Sequence, residues 1–287
     1  VTTFRVLRTA KATLSRTFHL DEVATDATGN VVVTVLRGDG TVVHGPVNAS
    51  GPGADHEYAY DFPGRDVLDE LVVQWALNIG GDAIVLDQDV IQVVGGFYFS
   101  IAEARAADST LASTAKYPTS RLVEVRAETE DECELMTGQA WVPRFARCVL
   151  SGRGRTWLEL PHTMIRAVRS VRVGGTAFTV PELAKVGFDD QGLLTLPREW
   201  PAGGRNIVVE VEHGHDRPPV DIVRGARLRF KSLALEGQSA LPDNAERRVV
   251  TTDQTSTTYR APSEESTGLP AVDAIYRRHP SPRPGFG

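Results

Sequence analysis

The feature that most restricts this chain is a change of period. From Thr3 to Val94 apolar residues recur at every second position, and at Gly95-Gly96 the alternation stops. A period of two sends successive side chains to opposite faces of an extended strand, so this stretch is not amphipathic helix. "ATLSRTFHL" sets Ala12, Leu14, Phe18 and Leu20 on one side, and "HEYAYDF" does the same with Tyr58, Tyr60 and Phe62. "ELVVQWAL" repeats it with Leu71, Val73, Trp75 and Leu77. "NVVVTVLRGDGTVVHGPV" is two β-branched runs around Gly38-Asp39-Gly40, where Asp-Gly supplies the positive φ of a hairpin turn. With "DAIVLDQDVIQVV" closing the set, about seven short strands predict a β-sandwich with Trp75 in its core. Asp87 and Asp89 share a face of the last strand and are expected on a solvated edge.

The chain has 287 residues, 41% hydrophobic and 24% charged, enough for more than one domain and for a sizeable core. A net charge of −6 argues against a dedicated nucleic-acid binder, which is normally basic. No run approaches the roughly 18 to 20 apolar residues of a membrane helix. "VTTFRVLRTAK" lacks the pattern of a secretory signal, so synthesis in the cytoplasm is expected. Cys133 and Cys148 form no C-x-x-C pair and are expected as buried thiols. Neither lies in the first 96 residues, so an immunoglobulin-like sandwich there would lack the inter-sheet disulfide.

After Gly96 the grammar is different. Ser100-Ile101-Ala102-Glu103 is a capping box and predicts a short helix to about Ala107. Pro118-Thr119 start a second helix, on which Leu122, Val125, Thr129, Cys133 and Met136 share a face and which Gly138 ends. Its acidic run, Glu128, Glu130, Asp131, Glu132 and Glu134, reads as a mostly solvated face. Extended segments follow, among them "VRVGGTAF" with its own Gly-Gly turn and "SGRGR" as a basic hairpin loop. "PPVDIVRGARLRFKSLALEG" predicts a third helix, with Val223, Ala226, Phe230 and Leu233 as its apolar stripe and Gly237 as its end. Arg224, Arg227 and Lys231 share another face, open to solvent, to nucleic acid or to an acidic partner. The expected division is residues 1–96, 97–237 and an arm at 238–287.

No nucleophile elbow, phosphate-binding loop, dinucleotide fingerprint or zinc-protease helix occurs, so no catalytic residue or cofactor is expected. "VEVEHGHDRPPVDI" packs His213, His215 and Asp216 into four positions. Histidines at i and i+2 of a strand can chelate a metal. Here Gly214 and the prolines end the strand, and no third ligand is evident, so the stretch reads as a joint. In that reading Asp216 or its neighbour faces the orphan N–H groups of the next helix.

The order of these pieces resembles the head-to-tail adaptor (connector) proteins of long-tailed, siphovirus-type actinobacteriophages, over residues 97–236. The pieces are "FSIAEARAA", the helix ending in Thr-Gly, "LELPHTMIRAVRSVRVGGTAF", "GLLTL" and "WPAGGRNIVVEVEHGHDRPPVDIVRGARL". The family's strand-to-helix motif, close to V-x-V-E-H-G-x-D-x-x-P-x-D-I, is matched by Val209, Val211, Glu212, His213, Gly214, Asp216, Pro219, Asp221 and Ile222. The resemblance implies an α+β adaptor domain, a small helical bundle with a β element, following an all-β immunoglobulin-like sandwich. It implies a non-enzymatic structural protein of the virion neck, forming a ring, commonly a dodecamer, beneath the portal. Its partners would be the portal, a head-closure (stopper) or tail-completion protein, and double-stranded DNA sliding through without sequence-specific contact. The sandwich departs from the minimal family pattern.

The last fifty residues are rich in Ser, Thr and Pro and alone are expected to be disordered. In the adaptor reading they form an arm ordered against neighbours. "RRVVTTDQTSTTYR" would add a strand, and Leu269, Val272 and Ile275 would anchor a last helical turn in a partner's groove. The rival reading is a tail or envelope surface-binding protein whose N-terminal sandwich recognises carbohydrate.

Overall fold

The computed structural model describes residues 2–20, 23–24, 26–27, 29–53, 55–79, 82–235, 245–251, 254–259 and 266–281. The chain is mostly β, in several sheets with few helices. The first part contains β1 (Thr3–Leu7), β2 (Ala12–Thr17), β3 (His19–Leu20), β4 (Val23–Ala24), β5 (Asn30–Arg37), β6 (Val42–Asn48), β7 (Glu57–Phe62), β8 (Asp69–Ile79) and β9 (Asp82–Val94). One sheet has the order β1-β9-β8-β5-β6, with β1 parallel to β9 and its other pairs antiparallel. The β2-β7 pair contributes to the same core, an arrangement compatible with a β-sandwich. The alternation predicts its lining: Leu14, Tyr58, Tyr60, Phe62, Leu71, Val73 and Trp75 are all buried in one cluster.

Asp89 corrects the expectation of a solvated edge. It is fully buried, accepts from Trp75 Nε1 at 3.0 Å and from the Thr2 backbone N–H at 2.9 Å, and faces Arg16 at 3.3 Å. A buried indole N–H needs an acceptor, and this carboxylate provides one.

Beyond Gly96 come α1 (Ile101–Ala107), a 3-10 turn (Ser109–Leu111), α2 (Thr119–Thr137), β10 (Arg144–Gly152), β11 (Trp157–Glu159), β12 (Ile165–Val173) and β13 (Thr176–Ala177). Then follow α3 (Val180–Leu183), β14 (Gly187–Phe188), β15 (Leu193–Thr195), β16 (Gly203–His213) and α4 (Val220–Ala234). β17 (Ala245–Thr251), β18 (Gln254–Tyr259) and α5 (Pro270–Tyr276) complete the order. The Ser100–Glu103 capping box is present in both directions, and Gly138 ends α2 at φ 68°. α4 ends at Ala234, and Gly237 lies outside the described residues.

Two further cores are built here. Sheets β10-β16-β12-β13 and β11-β15-β14 enclose Trp200, Leu194, Val209 and Val211. α1, α2, α4 and α5 enclose Leu122, Val125, Cys133, Ile222, Ala226 and Phe230. Both cysteines are buried and free, and burial pushes the Cys133 thiol up to about 12 and the Cys148 thiol up to about 11.

The acidic run of α2 is less solvated than expected. Glu128 and Asp131 face solvent, but Glu130 is fully buried. It meets Arg144 at 2.9 Å and Arg5 at 3.2 Å and accepts the Tyr98 backbone N–H at 2.9 Å. Helical spacing turns Glu130 and Glu134 to the side where Arg144 lies, and Arg144 meets Glu134 at 2.8 Å. Burial alone would pull the Arg144 pKa down, yet Glu134 and Glu130 outweigh it and hold the guanidinium charged. This network, with Gly95 N–H to Pro143 O at 2.9 Å and Arg147 to Gly38 O at 3.2 Å, joins the sandwich to the rest.

Candidate functional site

The joint follows β16, a central strand whose residues alternate half-buried and buried from Asn206 to buried His213. Gly214 follows at φ 96°, in the left-handed region that favours glycine. A Cβ there would stand 2.4 Å from Val142 O, so backbone contact forbids any other residue. The bend is stitched on both sides: Gly214 N–H donates to Met164 O at 2.9 Å and His215 N–H to Ala140 O at 3.1 Å.

Because the chain turns at Gly214, the two histidines do not share a face. His213 stacks on His162, ring centroids 4.1 Å apart, and burial with the nearby His162 and Arg144 pushes its pKa down to about 3. His215 stacks instead on Trp141 at 4.7 Å and 15°, and its Nε2 lies 3.2 Å from Gln139 Oε1. Among the described residues no cluster of three metal-ligating side chains occurs.

Asp216 does not cap α4 but pairs with Arg166 at 2.7 Å. Pro219 stands at the N-cap position without a side-chain cap, and Asp221, in the first turn, accepts the Ile222 N–H at 3.0 Å. The other oxygen of Asp221 meets His279 Nε2 at 2.8 Å, and that hydrogen bond is the main reason its carboxyl titrates below the usual range.

His279 brings in the C-terminal segment, which the joint holds. Its ring meets Trp141 edge-on at 5.4 Å, and Gln139 Nε2 donates to His279 O at 3.2 Å and Pro280 O at 3.4 Å. Upstream, Asp273 accepts Thr267 N–H at 2.8 Å and the Ser266 hydroxyl at 2.7 Å, which squares off the start of α5. Val272, Ile275 and Tyr276 are buried against α2 and α4, with Leu269 packed at the edge. Gly225 permits this approach: a Cβ on it would meet Ile275 and Tyr276 at 3.3 Å. Leu269, Val272 and Ile275, the expected docking arm, thus pack in a groove between helices of their own chain. β17 and β18, which lie in the stretch expected to add a strand, pair with each other antiparallel.

The basic residues of α4 divide. Arg227 lies 3.7 Å from Glu103 and Lys231 2.7 Å from Asp108, so both are tied to the α1 side. Arg224 is exposed beside them. Sequence reading singled out the joint but not Gln139, Trp141, His162, Asp273 or His279, which reach it from distant parts of the chain. No helix among the described residues is long and apolar enough to cross a membrane. No protein-family model matches the chain, and no curated protein sequence matches it.

Proposed function

We propose that this chain is a structural subunit of a phage neck, a head-to-tail adaptor that joins capsid to tail in a ring beneath the portal and continues the DNA channel. The observation that carries the reading is the order of elements over residues 97–236. A capped short helix, a long helix stopped by Gly, paired strands, and a last strand delivered through a Gly bend and prolines into a packed helix follow in the order of that family. The adaptor motif residues His213, Gly214, Asp216, Pro219 and Asp221 build this joint by packing, bending and pairing, roles that suit a scaffold. In the sandwich, a first strand parallel to the last and a two-stranded facing sheet support the immunoglobulin-like reading. That module would decorate the outside of the neck.

The test is light scattering of the purified full chain, with pull-down on portal rings of a long-tailed phage. A large ring-sized particle that binds portal is expected. A strictly monomeric chain without affinity for portal would overturn the proposal. Deleting residues 1–96 separates the rival reading, because a carbohydrate-binding sandwich would lose its activity while an adaptor would still assemble.

A further inference from the structure

The outward faces of α2 and α4 are complementary to each other and cannot meet within one molecule. On α4 the exposed positions are Val220, Arg224, Leu228 and Lys231, spaced by four, four and three, which is a single helical stripe. Val220 is 88% exposed and Leu228 41%. Beside the stripe a groove of about 420 Å³ runs between α4 and α1, with Ala104, Leu111, Val223 and Phe230 in its apolar wall. Arg224, Arg227 and Lys231 rim it against two carboxylates, Glu103 and Asp108, an excess of one positive charge.

On α2, past its first two residues, the exposed positions are Arg121, Glu124, Glu128, Asp131 and Leu135, again spaced by three and four. Leu135 is 71% exposed. Arg121 pairs with Glu124 at 3.2 Å, Arg5 reaches Asp131, and no described cation pairs with Glu128. Three carboxylates against two guanidiniums leave an excess of one negative charge. The acidic stripe therefore carries an apolar residue, as the basic groove does, with the opposite sign.

α2 and α4 pack together through their buried sides, Val125 and Cys133 on one and Ile222, Ala226 and Phe230 on the other. Their solvent stripes consequently point away from each other. A twofold dimer would need both stripes on one surface, which this packing denies. Two different patches on opposite sides form a head-to-tail contact, which propagates and closes into a ring when the rotation per copy allows.

We propose that the partner of the α4 groove is the acidic face of α2 on a second copy of this chain, so that successive copies associate through α4 and α2. The proposal rests on the ring reading above and supplies its subunit contact. Val220 and Leu228 are covered by Leu135 and its surroundings, while Arg224 meets Glu128. These two charged residues have no described partner in their own chain, so reversing either disturbs association without removing an internal ion pair.

The experiment is charge reversal in the full chain, read by light scattering across a concentration series at low ionic strength. Glu128→Arg and Arg224→Glu each place like charges in the contact, and each should weaken association about tenfold or more. The double variant restores the opposite-sign pair and should return to within about threefold of the original chain. An equal mixture of the two single variants should also assemble, because alternating copies present matched faces. Circular dichroism melts of both single variants, unchanged from the original, exclude misfolding. Association unaffected by either reversal, or not regained by the double variant, overturns this contact and leaves the ring reading standing. An original chain that stays monomeric at every concentration overturns both.

Discussion

Gly214 and His213 stand next to each other and fail in different ways. Gly214→Val combines a left-handed φ with a Cβ 2.4 Å from the backbone carbonyl oxygen of buried Val142. A β-branched residue there should destabilise the fold by about 3 kcal/mol or more, read as a fall in the denaturant midpoint. His215→Ala at the next position loses one stacked ring contact and one hydrogen bond, so a loss of only about 1 kcal/mol is expected. His213 acts through pH. Its folded-state pKa is about 3, far below the ordinary histidine value of 6.5, because burial disfavours the cation. Between those values the unfolded chain binds a proton that the folded chain refuses, so stability falls as pH drops below about 6.5. The slope from this residue approaches about 1.4 kcal/mol per pH unit. His215 is depressed too, by burial, and adds in the same direction. His213→Gln should flatten the decline between pH 6 and 5 in urea titrations. An unchanged slope would show that the buried imidazole is not its source.

At the scale of elements, α5 completes the helical core although it comes last in the chain. Ile275→Ala removes buried methyl groups between α4 and α5 and should cost about 2–5 kcal/mol. Hydrogen exchange should show loss of protection in α4 around Gly225 as well as in α5 itself, since the two touch there. Were α5 only an appended tail, its truncation would leave α4 protected. The sequence made the elements legible where local chemistry decides them. The capping box, the Gly138 stop, the Gly174-Gly175 turn and the period of two each depend on residues a few positions apart. Less legible was what depends on distant partners. That Glu130 is buried while Glu128 is solvated depends on Arg5, across 125 residues of chain. Asp89 depends on an indole from β8, and the C-terminal segment meets Gln139 across 140 residues. A carboxylate in a polar run carries no local mark of such a partner, so Asp89 and most of the α2 run read as solvated. The joint was legible as a bend because Gly and Pro act locally, whereas its role as the seat for His279 was not.

At the scale of the molecule, the described residues form three separate hydrophobic cores joined by polar seams, and an ion network lies in the seam between the N-terminal sheets and the helices. Arg5 comes from β1, Glu130 and Glu134 from α2, and Arg144 from the start of β10, so three parts of the chain share buried charges. Removing Glu130 leaves Arg144 only Glu134 and Arg5 only Asp131 as carboxylate partners, and a loss inside a buried network costs more than that of a solvent-exposed pair. Glu130→Gln should therefore destabilise by about 3–5 kcal/mol. The loss should concentrate at the seam, because none of these charged groups belongs to the N-terminal hydrophobic core, which runs from Val6 to Val93. Calorimetry of the original chain is expected to give one transition coupling sandwich and helices, and Glu130→Gln two, with the helical part melting first. Replacing the whole charged set tests whether charge or shape joins the domains. In Arg5→Met, Glu130→Met, Arg144→Met the three most buried members of the set go at once, Glu134 keeps its partly exposed edge, and buried Arg126 keeps Phe99 O and the Phe97 ring. If an isolated charge is what separates the domains, this triple variant recovers the single transition, and its stability returns to near the original. Two transitions persisting in the triple variant would show instead that the directional hydrogen bonds to Ala127 O and the Tyr98 N–H hold the sandwich in place.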